Sequence, residues 1–390
     1  MKIKEGFFLK EIENDVFLLP YGNRIASFEH GLQLIGSSEC IVRFLLEKGE
    51  ASVEELLSML EETYGDGVSS TELAEDLDGL LLRLQQYGVI EGQIQPVCTR
   101  VEEQHCFTIA GIHMVLNAPK DYVHPLLKPF ASQGCDKNIE IQIAYYERND
   151  YSEGTILVRS RDVVIYEYKN TYGFLYPENI YVREMIVTKD GKNATLFLKQ
   201  MTPDVAEEAF LAMRSAFLIY ASQHRLFALH SVSVAFRNGV VLFSGHSGAG
   251  KSTHSRLWER LFDSRILNGD LNLLGIEDGK VIVYGIPWCG TSEIAQPFKK
   301  NLWGVFFIHQ SNGNTCKEIQ GAQRTLALSN RMISPSWTKN LYEQNLAFAY
   351  EVQPKIMLCD LFCNTEDEAA KVARQYVISY IEEEDKNKTI

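Results

Sequence analysis

The stretch SGHSGAGKST, residues 244–253, combines residue types and a spacing that suit phosphate binding. Gly245 and Gly250 enclose four residues, and Lys251 and Ser252 follow directly. Glycines let backbone N–H groups curl around a phosphate at the positive end of a helix, while lysine contacts the outer phosphates and serine coordinates Mg²⁺. The pattern therefore predicts binding of ATP or GTP with Mg²⁺. The predicted contacts are Gly245, Ser247, Gly248, Ala249, Gly250, Lys251, Ser252 and Thr253.

A phosphate loop needs a strand before it and a helix after it, and the flanking sequence predicts both. The apolar run GVVLFS predicts the strand, and the run STHSRLWERLF predicts the helix, with Leu257 and Leu261 on one face. Upstream, HSVSVAF and VVLFSG are β-like runs joined through Asn238-Gly239, a strong hairpin signal. With those two residues as the turn, His230 falls opposite Ser247. This register predicts that His230 lies at the phosphate loop.

Phosphoryl transfer also needs an acid that holds Mg²⁺, usually at the end of a neighbouring apolar strand. The short run Ile266-Leu267 predicts such a strand, and Asp270 follows it 18 residues after Ser252. Ser252 and Asp270 are therefore the predicted Mg²⁺ ligands.

Together these features resemble the HPr kinase/phosphorylase family and the related phosphoenolpyruvate carboxykinase type of P-loop. The resemblance rests on LHSVSVAF, SGHSGAGKST, the aspartate at a strand end and VYGIPWCGTSEI at 283–294. It covers residues 229–310 well and 106–228 in outline. It implies an ATP-dependent kinase in which His230, Lys251 and Asp270 are catalytic and Ser252 and Asp270 hold Mg²⁺.

One departure from that family concerns the strand end before Asp270. The family has two adjacent acids there, whereas this chain reads Asn268-Gly269-Asp270. Either Asp270 serves Mg²⁺ alone and the base comes from elsewhere, or the chemistry differs from that of the family. Glu293 is the nearest spare carboxylate in the sequence. Its segment, GIPWCGTSEI, predicts either a loop that closes over the nucleotide or acceptor, or a tightly packed turn.

Residues 1–92 predict a separate small domain. Short β-like runs come first, and three helical segments follow. Ser52 and Glu55 have capping-box spacing before the second helix, and Leu73, Leu77 and Leu84 belong to an apolar face of the third. This winged-helix-like outline suits DNA binding, but the segment has 7 Lys and Arg against 18 Asp and Glu. Because DNA phosphates would repel such a domain, a peptide is the favoured partner.

The opening MKIKEGFFLKEIENDVFLLP and the closing LQQYGVIE of this segment resemble the PqqD-like family of leader-peptide recognition modules. The resemblance implies that a precursor peptide adds a strand to the small sheet, against the third helix. The alternative is an interaction or oligomerisation domain that binds no leader. Whether identical chains assemble is left open by the sequence.

The rest of the chain completes the predicted organisation, an α+β or α/β protein. Residues 91–104 predict a linker, 106–200 a strand-rich region, and 202–224 a long helix begun by Thr202 and Pro203. The predicted domains are 1–92, PqqD-like and winged-helix-like, and 101–390, HPr kinase-like. The second divides into a β-rich part at 101–228 and a P-loop core at 229–390.

Composition excludes several classes of protein. The net charge of −13 argues against nucleic-acid binding. No apolar run reaches the length of a membrane span, and the N-terminus lacks the apolar core of a signal peptide, so a cytoplasmic protein is expected. Eight cysteines without C-x-x-C spacing predict reduced thiols rather than a zinc site.

The predicted function is an ATP- and Mg²⁺-dependent kinase that phosphorylates a Ser or Thr hydroxyl of a ribosomally made peptide recruited by its leader. Two alternatives remain open. One is a small-molecule kinase that uses the front domain for assembly. The other is a nucleotide-gated peptide chaperone without phosphoryl transfer.

Overall fold

The computed structural model describes residues 1–22, 31–65, 67–86, 89–90, 103–134, 137–145, 155–198, 202 and 204–387. The chain is a mixed α/β protein and divides into two compact units. The first unit contains Met1–Glu102, Gln142–Lys189 and Ala194–Ala209. The second contains Glu103–Ile141, Asp190–Asn193 and Phe210–Ile390. The domain boundaries expected from the sequence stay a prediction.

The N-terminal part of the first unit is a three-stranded sheet followed by three helices. Its elements are β1 (Phe7–Ile12), β2 (Asp15–Pro20), β3 (Leu32–Leu34), α1 (Ser37–Lys48), α2 (Val53–Tyr64) and α3 (Ser70–Gln86). The strands pair antiparallel in the order β1-β2-β3.

Local signals in this part are confirmed. Ser52 and Glu55 form the predicted capping box of α2. The predicted apolar face of α3 is buried in a core with the sheet and the other two helices. Gly88 has the residue type that helix ends prefer, and the sequence predicts that α3 ends just before it. Gly88 and most of the predicted linker lie outside the described residues.

Most of the other strands of this unit form an antiparallel meander. It consists of β7 (Thr155–Arg159), β8 (Val164–Tyr168), β9 (Thr171–Leu175), β10 (Val182–Thr188) and β11 (Asn193–Leu198). The strand β9 was not predicted, since its Gly173 weakens the strand signal. A Cβ at Gly173 would overlap the ring of Tyr166, so the glycine makes room for that ring.

Two elements run across the division into units, β6 (Ile139–Tyr145) and α4 (Val205–Gln223). The helix α4 confirms the predicted long helix, whereas Pro203 lies outside the described residues. Among the helices of the described residues, none combines the length and the apolar character of a membrane span.

The second unit contains the phosphate-loop region. Its strands are β4 (Gln104–Ile109), β5 (Ile112–Asn117), β12 (Phe227–Phe236), β13 (Gly239–Ser244), β14 (Ile266–Asn268), β15 (Leu271–Glu277), β16 (Lys280–Tyr284), β17 (Lys299–Gln310), β18 (Thr315–Glu318) and β19 (Met357–Cys363). Its helices are α5 (Lys251–Phe262), α6 (Gln323–Ser329), α7 (Lys339–Val352) and α8 (Asp367–Asn387).

The sheet that carries the loop has the strand order β13-β12-β15-β16-β17-β19-β18. Because β17 also pairs with β13, five of these strands form a closed ring of pairings. Alternate residues of β13 face two cores, since successive side chains of a strand point to opposite faces. Val241 and Phe243 belong to a core that includes α5 and α8, while Val240 and Leu242 belong to one that includes α7.

The predicted hairpin of β12 and β13 is present, but its predicted register is wrong. Phe236 pairs with Gly239, so Arg237 and Asn238 form the turn. Arg237 adopts a left-handed φ of +51°. Gly239 lies in the strand instead, and the shift moves every predicted pair by two positions.

The reason for a glycine at position 239 is packing rather than turn geometry. A Cβ there would overlap Nε1 of Trp303 and would lie 2.7 Å from the carbonyl oxygen of Asn301. The Trp303 indole N–H donates to the carbonyl oxygen of Phe236 at 3.1 Å, which holds the ring against the hairpin.

The corrected register changes the neighbours of His230. Ser231 pairs with Ser244, the last residue of β13, so His230 lies beside the start of the glycine loop rather than opposite Ser247. The predicted proximity of His230 to the loop therefore holds, although the register from which it was predicted does not.

Candidate active site

The predicted order of strand, glycine loop and helix is present in the structure. The strand β13 ends at Ser244, and α5 begins at Lys251. Gly248 and Gly250 have φ values of +76° and +102°, a region that favours glycine. At Gly245 a Cβ would approach the carbonyl oxygen of Ile308 to 3.2 Å, so the close approach of β17 also requires a glycine.

The other residues predicted to contact phosphate lie in the same loop and in the first turn of α5. Ser247 and Gly248 are exposed, and Ala249 and Gly250 are partly buried. Ser252 and Thr253 are exposed on the helix. The loop backbone and these hydroxyls are therefore accessible to a phosphate chain.

The side chain of Lys251 folds back over the loop. Its Nζ donates to the carbonyl oxygens of Gly245 and His246, each at 3.2 Å. Burial lowers the pKa of Lys251, the charge of Arg331 lowers it further, and Asp270 opposes both effects. Lys251 thus shares one electrostatic environment with a carboxylate and a second cation.

Asp270 lies between β14 and β15, where Asn268 shapes the turn. The side-chain oxygen of Asn268 accepts hydrogen bonds from the backbone N–H groups of Asp270 at 2.9 Å and Leu271 at 3.1 Å. Its amide nitrogen donates to the carbonyl oxygen of Ile286 at 2.8 Å. Asn268 is completely buried. In the sequence Asn268 stands out only as part of a departure from the family pattern, whereas in the structure it positions the acid.

His230 and Asp270 form a pair at the adjoining strand ends. Nδ1 of His230 lies 3.3 Å from Oδ1 of Asp270. The backbone N–H of Ser231 donates to the carbonyl oxygen of Asp270 at 2.8 Å, which ties the two strands together at this point. Burial lowers the pKa of His230 below its usual value, against the opposing effect of Asp270. His230 is therefore mainly neutral at pH 7, with one nitrogen able to accept a proton.

The position of the missing second acid is filled by a neighbouring loop. A Cβ at Gly269 would overlap Oγ of Ser292, so no side chain fits at Gly269 unless this loop moves. Ser292 donates to the carbonyl oxygen of Cys289 at 2.7 Å and accepts from the backbone N–H of Ile294 at 3.2 Å. The loop is thus a hydrogen-bonded, solvent-exposed turn whose Ser292 stands where a second carboxylate would be.

The same loop packs against Asp270. At Gly290, whose φ is +59°, a Cβ would lie 3.0 Å from Cγ of Asp270. Glu293 also has a left-handed backbone, with a φ of +55°. Burial raises the pKa of the Cys289 thiol, and the charges of Asp270 and Glu293 raise it further. Both carboxylates therefore act on one buried thiol beside the site.

Arg331 is a site residue that the sequence analysis missed. Its carbonyl oxygen accepts from the backbone N–H of His230 at 2.9 Å, and its charge lowers the pKa values of His230 and Lys251. Within the described ranges, its guanidinium has no carboxylate partner. Arg331 follows α6, and no local motif marks it, because only tertiary contacts bring it to the loop.

Oxygen atoms suited to Mg²⁺ are available from Ser252 and Asp270. Mg²⁺ is commonly bound by one or two protein ligands together with phosphate oxygens and water. In the described part of the chain, no cluster of three or more His, Cys, Asp or Glu side chains could hold a metal ion.

Comparisons with known proteins add little to this description. No protein-family model matches the chain, and no curated protein does. A solved structure with some similarity is the Hpr(Ser) kinase/phosphatase from Coxiella burnetii, with 9% sequence identity, coverage of 39% of this chain and 97% of that chain, and a TM-score of 0.24. Because the TM-score is so low, neither the fold nor the activity of this chain is inferred from this similarity.

Proposed function

We propose that this chain is a Mg²⁺- and ATP-dependent kinase that phosphorylates a Ser or Thr hydroxyl of a ribosomally made peptide recruited by residues 1–92. The observation that carries this proposal is the shared environment of Lys251, His230 and Asp270. A lysine on a glycine loop stands beside a carboxylate–imidazole pair. Phosphoryl transfer needs this combination, because the phosphate charge must be neutralised and the attacking hydroxyl oriented.

In the proposed reaction the peptide hydroxyl oxygen attacks the γ-phosphorus, and the bond from that phosphorus to the β–γ bridging oxygen breaks to leave ADP. The hydroxyl proton passes to Nε2 of neutral His230, whose Nδ1–H faces Asp270. Lys251 and Arg331 contact the phosphate oxygens. Ser252 and Asp270 would hold Mg²⁺, which would supply further neutralisation of the outer phosphates.

An open groove beside β3 supports the peptide-binding part of the proposal. One edge of β3 pairs with β2, and the other has no partner strand among the described residues. A cavity of about 400 Å³ lies along this edge, between β3 and α3. Leu34, Leu80 and Leu84 line it together with Asp76 and the exposed Ile35. An extended peptide that adds a strand here would place alternate side chains in the groove.

Charge indicates what kind of peptide suits the groove. The 18 acidic and 7 basic residues of segment 1–92 create a negative surface. Such a surface attracts cationic partners and speeds their association. The proposed leader therefore alternates aliphatic side chains, which enter the groove, with lysine or arginine.

The chemical step is tested with the full-length chain, ATP, Mg²⁺ and a candidate precursor peptide, using mass spectrometry to detect one added phosphate group. Asp270→Asn is expected to lower turnover by orders of magnitude and to weaken the Mg²⁺ requirement. His230→Ala is expected to lower turnover by about 10²–10⁴-fold, the usual contribution of a general base. Near-normal turnover in Asp270→Asn would show that the metal site is wrong, and Glu293 would be the next acid to test.

The docking step has a matched pair of variants. Ile35→Asp places a charge in the groove, whereas Ile12→Asp changes an exposed isoleucine of β1 outside it. We expect Ile35→Asp to raise KM for the full peptide by about ten-fold, with little change for a leaderless peptide. Ile12→Asp should leave both values unchanged. Equal effects of the two variants, or no effect of either, would contradict docking at the groove.

A further inference from the structure

A cavity of about 500 Å³ lies beside the phosphate loop, and its lining does not include His230, Lys251 or Asp270. Its walls include Gly248, Gly250 and Thr253 of the loop and first helical turn, together with the chain that follows β17 and β19. The strands β13, β17 and β19 are parallel neighbours, so the cavity lies at their common carboxyl end. Ligands of α/β proteins commonly bind at this end of parallel strands.

The polar side chains of two cavity residues are fixed by hydrogen bonds, one of them to the phosphate loop. Nε2 of Gln310 donates to the carbonyl oxygen of Gly248 at 2.9 Å, which leaves Oε1 of Gln310 as an acceptor. Asn364 accepts from the backbone N–H of Glu366 at 3.0 Å through its side-chain oxygen. These bonds hold the wall residues in place next to the loop. Ile308 and Ala249 add apolar surface to the same wall.

His254, which also lines the cavity, has an unsatisfied donor. The residue is 2% exposed, and the indole N–H of Trp258 donates to its Nε2 at 3.2 Å. Since Nε2 is an acceptor, Nδ1 must carry the proton of the neutral ring. Nδ1 is buried and has no hydrogen-bond partner among the described residues.

A buried donor without an acceptor destabilises a protein by about 1–3 kcal/mol, so such a group points to a missing partner. The partner must carry an acceptor, and a ligand in the cavity that His254 lines is a candidate for it. A nucleotide whose phosphates occupy the loop would be such a ligand, because its ribose and base bear several acceptors. The cavity volume lies within the usual range for small-ligand sites.

We propose that this cavity binds the nucleoside part of the nucleotide, and that His254 donates its Nδ1–H to an acceptor on the ribose or base. This inference rests on the proposed nucleotide binding at the phosphate loop. It assigns Gln310, Asn364 and His254 to recognition of the nucleoside, while Lys251 and the loop backbone bind the phosphates. The proposed reacting atoms lie near Asp270, which is not among the residues that line the cavity.

Binding at the nucleoside site is distinguished from binding at the phosphate site by comparing two ligands. These are Mg²⁺-ATP and Mg²⁺-tripolyphosphate, which lacks the nucleoside. Thr365→Trp fills the cavity from its exposed rim, and Thr315→Trp is a matched control on exposed β18, outside the cavity. By calorimetry, Thr365→Trp should weaken ATP binding at least about ten-fold, a loss of about 1.4 kcal/mol. Tripolyphosphate binding should stay within about two-fold, and Thr315→Trp should change neither.

These measurements distinguish failure of the nucleoside inference from failure of the proposed nucleotide binding at the phosphate loop. If Thr365→Trp weakens both ligands equally, or weakens neither, the nucleoside does not occupy the cavity and the inference is overturned. If the unmodified chain binds neither ligand, the phosphate loop is not functional, and both proposals are overturned.

The role of His254 has its own readout. In the full chain with ¹⁵N-labelled histidine, the Nδ1–H resonance of His254 is assigned by its loss in His254→Phe. Saturating Mg²⁺-ATP should shift this resonance, and Mg²⁺-tripolyphosphate should leave it near its free position. His254→Phe, checked for an intact melting transition, should weaken ATP binding by about 3- to 30-fold, the effect of one lost hydrogen bond. An unshifted resonance at saturating ATP would overturn the assignment of His254 as a donor.

Discussion

The role of Asn268 in presenting Asp270 leads to a prediction that separates positioning from general stability. Asn268→Ala removes one acceptor that serves two backbone N–H groups and one donor that serves a carbonyl oxygen. Each buried polar group left without a partner costs about 1–3 kcal/mol. Because the turn relaxes in part, we expect a loss of about 3 kcal/mol in the free energy of unfolding, measured by urea denaturation.

The same substitution should impair the chemistry. With its N–H group released, Asp270 can shift relative to His230, and a displacement of about 1 Å in such a site lowers the rate by about 10²-fold. We therefore expect turnover of the phosphorylation assay to fall by about that factor at saturating Mg²⁺-ATP. The Mg²⁺ concentration at half-maximal rate should rise.

A matched control is available in Asn272. This residue is also completely buried, and its amide nitrogen donates to the backbone and side-chain oxygens of Ser231 rather than to Asp270. Asn272→Ala should therefore lower stability without a comparable loss of turnover in the folded protein. Equal losses of turnover in the two variants, or normal turnover in Asn268→Ala, would refute the positioning role.

Three further predictions concern the loop, the missing acid and a buried histidine. Lys251→Ala should abolish tight ATP binding in calorimetry while the melting temperature is retained, because each charge-assisted contact contributes about 1.5–3 kcal/mol; unchanged affinity would mean that the loop binds no phosphate. Gly269→Asp should lower the melting temperature because its Cβ would overlap Ser292, and Ser292→Gly in the same chain should restore part of the loss; no rescue would contradict this explanation. The pKa of His254 is about 4 in the folded chain and higher in the unfolded chain. Between these two pKa values the unfolded state binds more protons, so protonation of His254 opposes folding. Stability should therefore fall by about 3 kcal/mol as pH drops from about 6.5 to 4, and His254→Phe should flatten this dependence in urea denaturation at each pH.

The features predicted correctly from the sequence are local ones. The strand, glycine loop and helix around Lys251 follow one another directly, and the capping box of Ser52 and Glu55 spans only four residues. Such features depend on backbone conformation and on hydrogen bonds between near neighbours, so residue types and spacing are enough to identify them. The amphipathic face of α3 was also predicted from the sequence, because the spacing of its apolar residues follows from helix geometry.

The hairpin shows where local reasoning fails. Asn238-Gly239 has the composition of a hairpin turn, yet Gly239 lies in the strand because Trp303 packs against it from β17. A glycine signals either a positive φ or a close approach of other atoms, and the sequence does not distinguish the two. The choice between them depends on a residue more than sixty positions away.

By itself, the sequence determined that the chain carries a glycine loop between a strand and a helix, with Lys251 and Ser252 at its end and Asp270 after the next strand. Only the tertiary structure decided what surrounds that loop. Arg331 and Asn268 act through hydrogen bonds and charge across the second unit, Ser292 fills the place of a second acid, and His254, whose Nδ1 has no hydrogen-bond partner among the described residues, lines a cavity beside the loop. These contacts bring residues from distant parts of the chain together. They depend on how the whole fold packs rather than on spacing along the sequence.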